Sequence, residues 1–168
     1  MKIAPLNPNQ TGSMVELLAE LFVYYNPTDI ASRAESEAHL TKRLLPDSSG
    51  LELIVASQKD GTIVGFAAIG FVDSVVDPRP EKSKQCFLKE LYVKQAARGS
   101  GIGLSLMQWI ADYAIEQGCV RIDWPVKSDN SGGIKFYESL GATRVEDRLS
   151  YRISDQALSS LAMQNSDT

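Results

Sequence analysis

"FLKELYVKQAARGSGIGLSLMQWIADYAIEQG", Phe87 to Gly118, runs from a strand-like segment through three glycines into the strongest helical pattern of the chain. The lead-in "QCFLKELYVK" has the length and apolar content of a long strand. After the loop, "IGLSLMQWIADYAIEQG" repeats apolar residues at helical spacing and closes on Gly118, a natural C-cap. Glycines let the backbone take positive φ and approach a ligand closely. The first-turn N–H groups of the next helix face outward with the positive end of its dipole. A strand, a glycine loop and a helix in that order can therefore cradle an anion such as a pyrophosphate. On this segment alone a plain strand-to-helix turn is the alternative.

Spacing narrows the choice of cradle. The dinucleotide fingerprint GxGxxG would need a glycine where Leu104 stands, and a P-loop would need a lysine that does not follow here. What the chain carries is Arg98-x-x-Gly101-x-Gly103, with Gly99 and Ser100 between. Arg98 can add charge to the cradle or cap the loop.

Working outward, "KIAPL" reads as a first strand and "GSMVELLAELFVYYN" as a helix ended by Asn26-Pro27. "SRAESEAHLTKRLL" is a more polar helix, with Ser32 and Glu35 spaced as a capping box. "LELIVASQ" and "TIVGFAAIGFVDSV" form a hairpin about "KDG". "CVRIDWPV" is a strand, and "SDNSGGIKFYESLG" a loop and short helix ended by Gly141. "ATRVEDRLSYRIS" predicts one or two final strands, and "DQALSSLAMQNSDT" a frayed helix or tail. The order β-α-α-β-β-β-α-β-α-β(-β) makes an α/β fold, a mixed sheet with helices on both faces, in a single domain over residues 1–168.

Composition bounds the function. A chain of 168 residues with net charge −4 and pI about 5.0 argues against a nucleic-acid partner. No apolar run approaches the ~20 residues of a membrane span, and "MKIAPLNPNQ" lacks a signal-peptide core, so the expectation is a cytoplasmic protein with no membrane partner. Cys86 and Cys119 lie in apolar surroundings and read as buried thiols. One histidine, His39, and no CxxC or HExxH give no metal site.

Two motifs now stand together: Arg98-x-x-Gly101-x-Gly103, and Asn130-x6-Tyr137 within "DNSGGIKFYESLGA". Over Phe87–Ala142 the chain resembles the GNAT superfamily of N-acetyltransferases, and is similar in look to its diamine/polyamine and small-amine subgroup. The resemblance implies acetyl-CoA as cosubstrate and a GNAT-like fold with splayed central strands. It places the pantetheine arm on backbone groups around Leu91, Tyr92 and Val93. The pyrophosphate would sit on Arg98, Gly99, Ser100, Gly101, Ile102 and Gly103, with Asn130 and Tyr137 near the arm. Asn130 is equally a helix N-cap. Family members often carry alanine where Gly133 stands, so "SGG" implies a looser helix start.

The resemblance also implies the chemistry: direct attack of an amine on acetyl-CoA in a ternary complex. Tyr137 matches the general acid, with Phe136 beside it as a packing aromatic. Glu90, in "ELYV", matches an acid that acts as base or holds the substrate cation. The preceding position, often acidic in polyamine-type members, is Lys89, which weakens a polyamine assignment. The acceptor wall falls on "LFVYYNPTDIASRAESEAHL", where Tyr24, Tyr25, Asp29, Glu35 and Glu37 could face a cationic amine, and Trp124 could face the acceptor site as well. Solvated helix faces are the plain reading of the same residues, and a core position that of Trp124. The expected acceptor is a small-molecule primary amine and the expected assembly a homodimer. A protein or peptide acceptor and a non-catalytic CoA-binding module remain the alternatives.

Overall fold

The computed structural model describes Met1–Met163. Two compact units divide the chain, Met1–Pro125 and Val126–Thr168.

The first unit is built on a five-stranded sheet in the order β1-β2-β3-β4-β5. Its strands are β1 (Lys2–Pro5), β2 (Glu52–Ser57), β3 (Ile63–Asp73), β4 (Lys84–Val93) and β5 (Ile122–Asp123). β1 to β4 pair antiparallel, and β5 joins β4 in parallel. The helices of this unit are α1 (Thr11–Tyr25), α2 (Arg33–His39), a short turn α3 (Pro80–Ser83) and α4 (Ile102–Glu116). After α2 the chain continues through a π turn, Leu40–Leu44, where the Leu45 N–H reaches the Leu40 carbonyl at 3.0 Å.

Alternation along the strands sorts the core into two layers. Leu53, Val55, Phe66, Ala68 and Tyr92 face α1 and α2 and pack with Met14, Val15, Leu17 and Leu40. On the other face α4 lies across β2, β3 and β4, burying Ile102, Leu106, Met107, Ile110 and Ala114. β2 and β3 are buried on both sides, as befits a sheet covered twice. Gly65 allows close approach at the start of α4: a Cβ there would stand 3.1 Å from Ile102 Cγ2.

Most sequence expectations hold within a residue or two. The turn joining β2 and β3 closes with the Gly61 N–H on the Gln58 carbonyl, and Gly61 takes φ 87°. The Ser32–Glu35 capping box forms reciprocally. β5, however, spans two residues where "CVRIDWPV" predicts a full strand. Cys86 is buried but Cys119 is only half-buried, and both thiols are free.

In the second unit α5 (Ser131–Ser139) and α6 (Asp155–Met163) are the helices. The final strands expected over "ATRVEDRLSYRIS" do not form among the described residues. Leu149 is 80% and Tyr151 88% exposed, and no strand is formed by this segment among the described residues. A strand pattern is satisfied only by an edge to pair with. Part of the predicted tail, residues 164–168, lies outside the described residues.

Burial pushes the Cys86 thiol up to about 11 and raises that of Cys119 as well. Both therefore stay protonated at pH 8, where a thiol reagent needs the thiolate. Titration with a chromogenic disulfide on the folded protein should show Cys86 silent and Cys119 slow, with both reacting rapidly in denaturant. Rapid labelling of Cys86 in the folded state would contradict this core.

Candidate active site

The register of β3 and β4 slips once. Ala68 pairs with Glu90, but the next residue, Ile69, pairs with Leu88, so Lys89 is an extra residue on β4. Such a bulge reverses the alternation of every side chain beyond it. Before it, Cys86 and Leu88 point to the α4 face. After it, Glu90 and Tyr92 stand opposite Ala68 and Phe66, on the α1 face. In an unbroken strand Glu90 would share the buried face of Leu88, where a lone carboxylate is costly.

Turned to the α1 side, Glu90 meets Tyr25 from the last turn of that helix. The Tyr25 hydroxyl donates to its carboxylate, 3.2 Å from Oε1 and 3.1 Å from Oε2. Tyr92 donates to Glu20 at 2.9 Å, and burial with that bond pushes the phenol up to about 12. Glu20 also accepts the Gln95 backbone N–H at 3.0 Å. A cleft of about 420 Å³ opens here, lined by Ala19, Glu20, Val23, Tyr24, Tyr92 and Gln95.

The other edge of β4 opens at the same place. Its ladder with β5 consists of Cys86–Ile122 and Phe87–Asp123, immediately before the bulge. From Leu88 to Val93, among the described residues, β4 has a strand neighbour only in β3. The ladder ends there because β5 itself stops at Asp123, and a strand edge with no strand neighbour is one an extended chain can pair with.

The glycine loop follows. Gly99 and Gly101 take φ 77° and 81°, and a Cβ at either would meet nothing within 4 Å. The glycines are needed for backbone conformation, and the space beside them is open. Gly101 is the N-cap of α4 and no side chain caps that end. The early N–H groups of α4, at Ile102 and Gly103, thus begin a helix whose dipole favours an anion. Arg98 is placed differently from a simple phosphate ligand. Its Nε donates to the Val93 carbonyl at 3.0 Å, and its guanidinium lies 5.3 Å from the ring centres of both Tyr24 and Tyr92. Ser100 Oγ donates to the Ala97 carbonyl.

The remaining candidates are local. Glu35 accepts from the Ser32 N–H and hydroxyl, which holds its carboxyl below the ordinary range, so its charge serves the α2 cap. Asp29 accepts the Ile30 N–H at 2.8 Å. Trp124 is half-buried just beyond β5. In the second unit Asn130 caps α5, accepting the Gly133 N–H at 2.9 Å. A Cβ at Gly133 would stand 2.5 Å from Asn130 Nδ2, so a larger residue there would require the Asn130 side chain to shift. Phe136 and Tyr137 are both half-buried, with ring centres 5.2 Å apart. Among the described residues no group of His, Cys, Asp and Glu side chains could hold a metal ion.

The sequence profile of the Acetyltransferase (GNAT) family matches residues 14–142. The chain belongs to that family. Similarity to characterised GNAT proteins is moderate. A thialysine N-epsilon-acetyltransferase from Sus scrofa is 30% identical over 103 residues, 60% of this chain and 58% of that one. An L-methionine sulfoximine/L-methionine sulfone acetyltransferase from Pseudomonas aeruginosa is 29% identical over 116 residues, 68% of this chain and 60% of that one. The chain thus spans about three-fifths of the length of these curated relatives. Among solved structures, an integron cassette protein from the mobile metagenome of Vibrio cholerae superposes with a TM-score of 0.86 at 32% identity, covering 96% of both chains.

The bulge is the feature that sequence reasoning missed. Lys89 read as a departure from an acidic position, whereas in the structure it is the inserted residue. A charged residue interrupting the apolar alternation of "CFLKEL" was the available signal.

Gly101→Asp should abolish acetyl-CoA binding in calorimetry by placing bulk and negative charge in the cradle. Unfolding should register only the backbone strain, about 1–2 kcal/mol. Retained binding would remove the loop from the site.

Proposed function

We propose that the chain transfers the acetyl group of acetyl-CoA to the primary amine of a small molecule. The observation that carries this reading is the coincidence at one end of β4 of an open strand edge, a glycine loop and an uncapped helix start. These suit an extended arm followed by a pyrophosphate. Leu91, Tyr92 and Val93 would offer backbone groups to the arm, and Gly99 to Gly103 would hold the phosphates. When bound, acetyl-CoA supplies the acyl group already activated as a thioester. A β4 backbone N–H can stabilise negative charge on the carbonyl oxygen as the amine attacks.

Proton traffic falls to two side chains. An amine is an ammonium at neutral pH and attacks only once a proton has left it. Glu90 receives that proton, and Tyr25, bonded to its carboxylate, fixes its orientation. Tyr137 donates a proton to the sulfur as the C–S bond breaks. It takes this role from its place in the Asn130-x6-Tyr137 motif.

For the acceptor, the relatives named above are acetyltransferases of thialysine and of methionine sulfoximine or sulfone, which are amino-acid-like amines. We therefore favour an amino acid or amino-acid analogue with a side-chain or α-amine. Tyr25 and Glu90 would meet its cation and Trp124 would border the site. Such an enzyme works where acetyl-CoA is made and used, which supports a cytoplasmic location. The exposed alternation Leu149, Tyr151, Ile153 supports a homodimer in which a second copy supplies the missing edge.

An acceptor screen tests the proposal directly: CoA release with amino acids and thia-analogues, polyamines, aminoglycosides and a basic peptide. Turnover on amino-acid amines is expected. Turnover on the peptide alone would favour a protein acceptor, and acetyl-CoA binding with no turnover on any amine would favour a binding module. Tyr137→Phe should lower kcat about 100-fold, the low end of what a general acid contributes, with acetyl-CoA affinity nearly intact. An unchanged rate and pH profile would remove Tyr137 from the mechanism.

A further inference from the structure

The last turn of α1 carries two adjacent tyrosines that do different things. Tyr25 reaches Glu90, whereas the ring of Tyr24 lies against the guanidinium of Arg98, 5.3 Å from its centre. Tyr92 flanks the same guanidinium at 5.3 Å, with the two rings 5.8 Å apart. Arg98 is therefore held by two aromatic faces while its Nε closes on the Val93 carbonyl. One turn earlier on α1, Glu20 binds the Tyr92 hydroxyl and the Gln95 N–H. The segment that joins β4 to the glycines is thus tied to α1 at Tyr92, Gln95 and Arg98.

Tyr24 itself is 52% exposed beside an open cleft, so its ring is no part of the core. What it touches is Arg98, the residue immediately before Gly99. Beyond Arg98 the loop consists of residues with the greatest backbone freedom, and ordering them opposes ligand binding. A fixed anchor at Arg98 reduces that cost.

We propose that Tyr24 is a positioning residue for the cofactor loop: its ring clamps Arg98 and so preorganises the glycine cradle, rather than lining the acceptor pocket. This rests on the reading of the loop as the acetyl-CoA site. The contact is an electrostatic one between a cation and a ring face, so it should survive loss of the hydroxyl and fail with loss of the ring. Because Tyr24 acts through Arg98, the two residues should be coupled in their effect on binding.

The experiment is calorimetric binding of acetyl-CoA without acceptor, with steady-state kinetics on each variant and thermal unfolding as a control for folding. Tyr24→Ala should weaken acetyl-CoA binding about five-fold, the scale of an exposed cation–π contact. The loss should show in KM for acetyl-CoA, with kcat at saturating acetyl-CoA changed less, since the Tyr24 ring also packs 5.3 Å from that of Tyr25. Tyr24→Leu, which keeps apolar bulk without a π face, should behave like Tyr24→Ala, and Tyr24→Phe should restore binding. In the Arg98→Gln background, Tyr24→Ala should add nothing. Unchanged affinity in Tyr24→Ala, wild-type affinity in Tyr24→Leu, or the same weakening in the Arg98→Gln background would each overturn the clamp. Failure of the wild-type protein to bind acetyl-CoA would instead overturn the cofactor reading and the clamp with it. Binding by the wild type with an indifferent Tyr24 defeats the clamp alone.

Discussion

One extra residue in β4 organises the site. Lys89 stands opposite the step from Ala68 to Ile69 and reverses the facing of everything beyond it. A carboxylate that would otherwise lie beneath α4 is delivered to the α1 side, where a phenol hydroxyl meets it. The same reversal sends Tyr92 toward Glu20 and Arg98. The parallel pairing with β5 ends just before the bulge, so the strand gains an open edge as its side chains change face. Candidate base, cofactor edge and loop anchor thus follow from a single irregularity in register.

Helix α1 completes what the bulge begins. Its N-terminal half is core, burying Met14, Val15 and Leu17 against the sheet. Its last two turns carry Glu20, Tyr24 and Tyr25, which serve Gln95, Arg98 and Glu90 respectively. A rigid, well-buried helix is a precise platform for such contacts, because the packing that fixes its axis also fixes its exposed end. On the opposite face α4 works the same way: Leu106 and Ile110 are fully buried, and the start of the helix is seated over Gly65. The two faces of one sheet therefore hold the two sides of the candidate site.

The second unit was less legible than the first. Its helix α5 was readable because Asn130 and Gly141 mark both ends, with Asn130 accepting the Gly133 N–H as the cap. The final strands were misread because "RLSYRIS" has the alternation of a strand. Alternation reports which side chains share a face and says nothing about whether a neighbouring edge exists. Glu35 shows a related ambiguity: an acidic residue three positions after Ser32 suits a capping box and an acceptor wall equally well on paper. In the structure its oxygens meet Ser32.

The sequence by itself determined the order of elements, the two-sided sheet, the glycine loop with its positive-φ positions and the helix that follows. These are local matters, settled by apolar periodicity, capping residues and the conformational freedom of glycine. It also carried the two motifs by which the family is recognised. Only the tertiary structure decided that Lys89 is a bulge, that Glu90 faces Tyr25, and that Arg98 is gripped by Tyr24 and Tyr92. The pairings of Glu90 with Tyr25 and of Arg98 with Tyr24 join residues far apart in the chain, and a side chain's facing depends on the register of the strand beside it.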